Sequence, residues 1–155
     1  MNLIITGHRK HKLENYDVPW IQAAMDQLVH ELHRKNGYIQ AYSGMASGID
    51  LWFCMTCQNE ELEIPYIACI PFEEQAETMS EDDARLRQSL IDCAAVVMKV
   101  KNSWMVEKAD MAIVVWDGNK GGTHNVLQQL IERKKPFYWI NPVAKTVYDC
   151  TALTW

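Results

Sequence analysis

Two glycine-bearing loops carry most of the chemistry that this sequence offers. The first, Ser43-Gly44-Met45-Ala46-Ser47-Gly48-Ile49-Asp50, follows a strand-like run and precedes a helix-like one. The second, Asp117-Gly118-Asn119-Lys120-Gly121-Gly122-Thr123-His124-Asn125, has the same setting. Glycines let a backbone come close to a ligand, and the N–H groups of a helix start attract an anion. Ser43 and Thr123 add hydroxyls suited to a phosphate, and Asp50 adds a carboxylate suited to a ribose. For the first loop, a plain strand-to-helix turn accounts equally well for the spacing, with Asp50 simply favouring the first helical turn.

Two further loops are chemically equipped. Thr6-Gly7-His8-Arg9 closes the first apolar run, and Arg9 there can pair bidentately with a phosphate or carboxylate. Lys10, His11 and Lys12 follow, so an exposed basic loop is the alternative reading. Pro71-Phe72-Glu73-Glu74-Gln75 closes another apolar run. The expected ligand contacts are Thr6, Gly7, His8, Arg9, Ser43, Gly44, Met45, Gly48 and Asp50 from the first half. Asp117, Gly118, Gly121, Gly122, Thr123 and Asn125 complete them.

Several chemistries lack the residues they need. Gly118 and Gly122 are too close for a Walker A loop, and no Gly-Lys-Ser/Thr follows them. The first strand is not followed by the glycine triplet of a dinucleotide fingerprint. Cys54-x-x-Cys57 falls inside a predicted helix, with no second pair for zinc and no helix start for redox work. His30 and His33 can share a helical face but have no evident third ligand. No metal and no cofactor is expected. The six tryptophans read as core, although Trp52 and Trp116 flank the two glycine loops.

The elements that position these loops alternate. Leu3–Thr6 reads as a buried strand, and Ile21, Ala24, Met25, Leu28, Val29 and Leu32 recur at helical spacing after Pro19. Strand runs follow at 38–43, 64–71, 95–100, 111–116 and 137–140. Helices are predicted from the first glycine loop to about Glu60, from Ser80 to about Ala94, over 102–110, and from about His124 to Lys134. Ser80 with Asp83 is the capping pair of the second of these. The dozen residues after Pro142 have no clear period and are expected to cover an edge. Strands that are continuous apolar runs between helices predict a mostly parallel sheet covered on both faces, a Rossmann-like three-layer α/β domain spanning 1–155.

Composition narrows the partners. The chain has 155 residues, 48% hydrophobic, with a formal net charge of −5, which disfavours a nucleic-acid polymer as partner. A small anion remains compatible, because backbone N–H groups alone can bind one. No run approaches the ~20 apolar residues of a membrane span, and no secretory signal is visible at the start. Five cysteines in a chain of this size predict free thiols and a cytoplasmic location.

"SGMASGID" resembles the Ser-Gly-x-Ala-x-Gly-Ile-Asp segment of DprA-type Rossmann domains. With "ITGHR", "IPFEEQ", "NSWMVEKAD" and "VWDGNKGGTHN", it is similar to the YspA/YpsA-like branch of the SLOG superfamily, over about residues 3–142. SLOG domains include the LOG phosphoribohydrolases, which cleave the N-glycosidic bond of nucleoside monophosphates. Other members bind or sense nucleotide-derived ligands, and small stand-alone members occur in bacteria and their phages. The resemblance implies a pocket for phosphate and ribose, and pairing as a homodimer. It also carries a departure: LOG enzymes resemble Pro-Gly-Gly-x-Gly-Thr-x-x-Glu, and Val126 stands here in the place of that glutamate. Lys101 likewise stands where an arginine often precedes the asparagine of "NSWMV". The expectation is therefore a protein that binds, senses or sequesters a nucleotide or ADP-ribose-like ligand. The alternative is a nucleoside-monophosphate N-glycosidase using Asp50 or Asp117 in place of the missing carboxylate.

Overall fold

The computed structural model describes residues 1–152. Seven strands run in chain order: β1 (Asn2–Gly7), β2 (Gln40–Ser43), β3 (Tyr66–Cys69), β4 (Val96–Met98), β5 (Met111–Val115), β6 (Phe137–Asn141) and β7 (Thr146–Asp149). Between them lie α1 (Lys10–Leu13), α2 (Val18–Asn36), α3 (Ile49–Cys57), α4 (Glu81–Cys93), α5 (Asn102–Lys108) and α6 (Gly122–Glu132). A 3-10 turn covers Glu73–Thr78. The strands form one sheet in the order β4-β3-β2-β1-β5-β6-β7. All neighbours are parallel except β6 and β7, which are antiparallel.

Side-chain alternation along the central strands builds two cores. Leu3 and Ile5 of β1 and Ile113 and Val115 of β5 point to one side, where α2, α3 and α4 pack. Ile4, Ala112 and Val114 point to the other, against α5 and α6. Burial on both faces is why these strands read as unbroken apolar runs. The fold is thus the expected Rossmann-like α/β sandwich of three layers.

Local chemistry sets the helix ends. Asp17 accepts the Trp20 N–H at 3.2 Å and caps α2, which presents Ile21, Met25, Leu28, Val29 and Leu32 to the core. Ser80 accepts the Asp83 N–H at 3.2 Å and caps α4. Helix α3 has buried residues nearly all round because it is wedged between β1, β2, α2 and α4. Cys54 and Cys57 are buried free thiols of that helix.

Three local expectations are corrected, and a fourth is borne out in more detail. Helix α6 begins at Gly122, two residues before His124, so Gly122 and Thr123 occupy its first turn. Helix α3 stops at Cys57 rather than near Glu60, where the Asn59 side chain accepts the Glu61 N–H at 2.9 Å and turns the chain. The polar stretch after β1 contains the one-turn helix α1. The segment beyond Pro142 does cover an edge, and does so as the strand β7. It lacks a readable period because it is held by backbone pairing and is largely exposed; the last three residues of that expectation, 153–155, lie outside the described residues. Among the described residues no helix is long and apolar enough to cross a membrane.

Candidate functional site

In an open parallel sheet the crevice for a ligand lies beyond the carboxyl ends of the strands, where the chain order reverses. Here β1 separates β2 from β5, and a cavity of about 380 Å³ opens at that edge. The loop after β1 supplies Thr6, Gly7, His8, Arg9, His11 and Lys12 to its wall. Gly44, Ala46 and Asp50 come from the segment after β2, and Pro71, Phe72 and Gln75 from that after β3. Asn102 and Met105 of α5, with Gly122, Thr123 and Val126 of α6, close the other side.

The two glycine loops do different work. In the first, the polar groups bind one another. Ser43 is fully buried, donates to the Asp50 carbonyl at 3.0 Å and accepts the Met45 N–H at 3.2 Å. The Ala46 N–H donates to Asp50 Oδ2 at 3.2 Å. Met45 is buried, and Gly48 packs against the chain after β1, with φ +93°. Ser43, Met45 and Gly48 therefore lie behind the cavity wall, while Gly44 and Asp50 face it. The first loop is a self-satisfied turn with one carboxylate turned inward.

The second loop has the character of a cradle. The N–H groups of Gly122, Thr123 and His124 begin α6 and meet no acceptor among the described residues. A Cβ at Gly122 would meet no atom within 4 Å. Arg9 shares the cavity wall, and its guanidinium makes no hydrogen bond or ion pair with another described residue. Gly118, Gly121 and Asn125 are exposed and stand outside the wall.

Within the wall, His8 links the two sides. Its Nδ1 lies 3.3 Å from Thr123 Oγ1, and its Nε2 accepts the Asp117 N–H at 3.0 Å. Asp117 Oδ1 is also 3.1 Å from that Nε2. The carboxylate already receives the Tyr16 hydroxyl at 2.8 Å, the Asn119 N–H at 3.0 Å and Lys12 at 3.7 Å. The Asp117 N–H has no acceptor but His8, so the neutral ring carries its proton on Nδ1 and donates to Thr123. That leaves the Thr123 O–H to donate into the cavity. Burial lowers the His8 pKa against the attraction of Asp117, which keeps the ring neutral near pH 7. Burial would raise Asp117, yet the hydrogen bonds from Asn119 and Tyr16 hold it at about 2, ionised and removed from the cavity.

Among the described residues, Asp50 is the one carboxylate in the cavity wall. Burial pushes it up to about 7, against the Ala46 N–H and the Arg9 charge, which both lower it. Between its ordinary value of 3.8 and about 7, the folded state holds a proton that the unfolded state has released. The resulting stabilisation is full at low pH and is lost as pH rises through about 7. The melting temperature of the wild type relative to Asp50→Asn should therefore fall by several degrees between about pH 5 and about pH 8. A pH-independent difference between the two would mean that this carboxyl titrates normally.

Phe72, Gln75, Asn102, Met105 and Val126 were not among the expected contacts. The loop after β3 was a visible signal for the first two; Asn102, at the start of α5, lies within "NSWMVEKAD". Among the described residues no group of three or more His, Cys, Asp or Glu side chains could hold a metal ion.

No family model and no curated protein matches the chain. Solved structures share its fold. One is TM1055, a target of the Northeast Structural Genomics Consortium, with a TM-score of 0.58 and 14% identity over 88% of this chain and 71% of the other. Another is DNA processing protein A from Helicobacter pylori, solved for its single-stranded DNA binding mode. Its TM-score is 0.63 at 15% identity, over 90% of this chain and 64% of that protein. The chain thus spans slightly under two thirds of that protein's length. At these identities the likeness is one of fold, a Rossmann-like α/β domain.

Proposed function

We propose that this chain is a SLOG domain of the YspA-like type that binds a nucleotide or ADP-ribose-like ligand. The observation that carries this reading is the unpaired first turn of α6 sharing one cavity with the unpaired Arg9. Helix-start N–H groups and a guanidinium are complementary to a phosphate, and the Thr123 hydroxyl adds a third donor. Asp50, beside Gly44 and Asn102, is suited to a ribose diol. An adjoining recess of about 260 Å³ shares Arg9, His11, Ala46 and Gln75 with the cavity, which gives room for a second half of a longer ligand. Binding that removes a signalling nucleotide from solution is the use this reading favours, and pairing of two copies belongs to it.

Calorimetric titration of the purified protein with AMP, ADP-ribose, cyclic nucleotides and inorganic phosphate tests the reading. Saturable binding of a nucleotide, recovered unchanged after heat denaturation, is expected. A single-stranded oligonucleotide belongs in the same series; if it alone binds, the polymer is the ligand and the small-molecule reading falls.

A second reading, the nucleoside-monophosphate N-glycosidase, is favoured by Asp50, whose carboxyl near 7 suits proton transfer at neutral pH. In it, water adds to the anomeric carbon, the bond to the base breaks, and the base leaves with a proton. Val126 in the glutamate's place counts against it. Release of free base that disappears in Asp50→Asn would establish it.

A further inference from the structure

We propose that the ring of Phe72 is the platform on which an aromatic base stacks, so that the ligand of this cavity is a nucleoside phosphate rather than a sugar phosphate. The inference rests on the phosphate-binding reading above and adds the recognition of the base to it.

The order of the sheet carries the argument. The carboxyl ends of β3, β2, β1 and β5 lie side by side, so the cavity wall presents Phe72, then Asp50, then Arg9, then the first turn of α6. With neighbouring strands about 4.8 Å apart, the ends of β3 and β5 are separated by about 14 Å. An extended nucleoside phosphate comes close to bridging such a distance once the side chains reach inward from both ends; inorganic phosphate or a pentose phosphate falls well short. The groups also come in the nucleotide's own order: an aromatic surface at one end, a carboxylate in the middle, cationic and N–H donors at the other.

Phe72 is 44% exposed although it stands in the wall of a cavity. The segment bearing it is nevertheless held firmly. Gln75, almost wholly buried, donates from Nε2 to the Gly44 carbonyl at 2.8 Å and accepts from Arg87 Nε at 3.1 Å. The Phe72 carbonyl accepts the Gln75 N–H at 3.4 Å. An apolar ring left open on a fastened loop is preorganised for a flat partner. Stacking also tolerates any base, because every base has a π-face.

Titrations of AMP and ribose 5-phosphate against wild type, Phe72→Ala and Phe72→Trp test this. AMP should bind the wild type about tenfold more tightly than ribose 5-phosphate. Phe72→Ala should abolish that preference and leave the affinity for ribose 5-phosphate as it was, while Phe72→Trp should keep it. Unchanged AMP affinity in Phe72→Ala, with ribose 5-phosphate still bound, overturns the stacking role and leaves the phosphate site standing. If neither compound binds the wild type, the phosphate-binding reading fails and this inference fails with it. A change of sedimentation in Phe72→Ala without a change in AMP affinity would assign the ring to contact between copies, and overturn the proposal.

Discussion

Gly48→Ala should lower stability by about 3–5 kcal/mol. A Cβ there would stand 2.6 Å from the Lys10 nitrogen and 2.9 Å from both the Arg9 carbonyl carbon and the His8 oxygen. All three are backbone atoms, which cannot swing aside as a side chain does. The φ of +93° adds strain for any residue with a Cβ. For a domain of this size the melting temperature should drop by about 10 °C or more. Gly122→Ala is the matched control. Its Cβ meets nothing within 4 Å, and its stability should stay within about 0.5 kcal/mol of wild type. Equal melting temperatures for Gly48→Ala and wild type would mean that the chain after β1 does not pack on α3 as described.

Arg9→Ala should do the reverse, sparing the fold and damaging the site. The side chain is exposed and makes no bond with another described residue, so the melting temperature should move by little more than 1 °C. Affinity for AMP or inorganic phosphate should fall about 10- to 100-fold, the range of a lost charge-assisted pair. Arg9→Lys should recover only part of it, because an ammonium cannot grip two oxygens in one plane. Added salt should weaken the wild type more than Arg9→Ala. The guanidinium also lowers the pKa of Asp50, so its removal should move that carboxyl further upward. Undiminished phosphate affinity in Arg9→Ala would place the anion elsewhere.

What the sequence made legible follows from burial. Strands covered on both faces must be apolar at every position, and β1 and β5 announce themselves for that reason. Strand β7 does not, because exposed residues carry no constraint that a pattern could reveal. The start of α6 was misplaced because glycines disfavour helix interiors, a penalty that matters little at the first position. In the cavity, Arg9, Asp50 and Thr123 were readable as polar residues in loops just beyond strands. Loop membership could not separate Asp50, which faces inward, from Ser43, whose hydroxyl is consumed by that loop's own backbone. Phe72 was legible only through its loop: an aromatic beside an apolar run looks like core until its exposure is known.

The cavity wall draws on five separated stretches of chain, from Ile5 to Val126. None of them holds a ligand alone, and the loop after β1 meets the start of α6 only once β5 has docked beside β1. Occupancy is therefore coupled to completion of the sheet rather than to any local segment. A ligand present at a hundred times its dissociation constant would add about 2.7 kcal/mol to the global unfolding free energy. Nascent chains that end before residue 122 would gain nothing from it. Protection from proteolysis by ligand would accordingly spread over the whole sheet, including strands that touch the ligand nowhere.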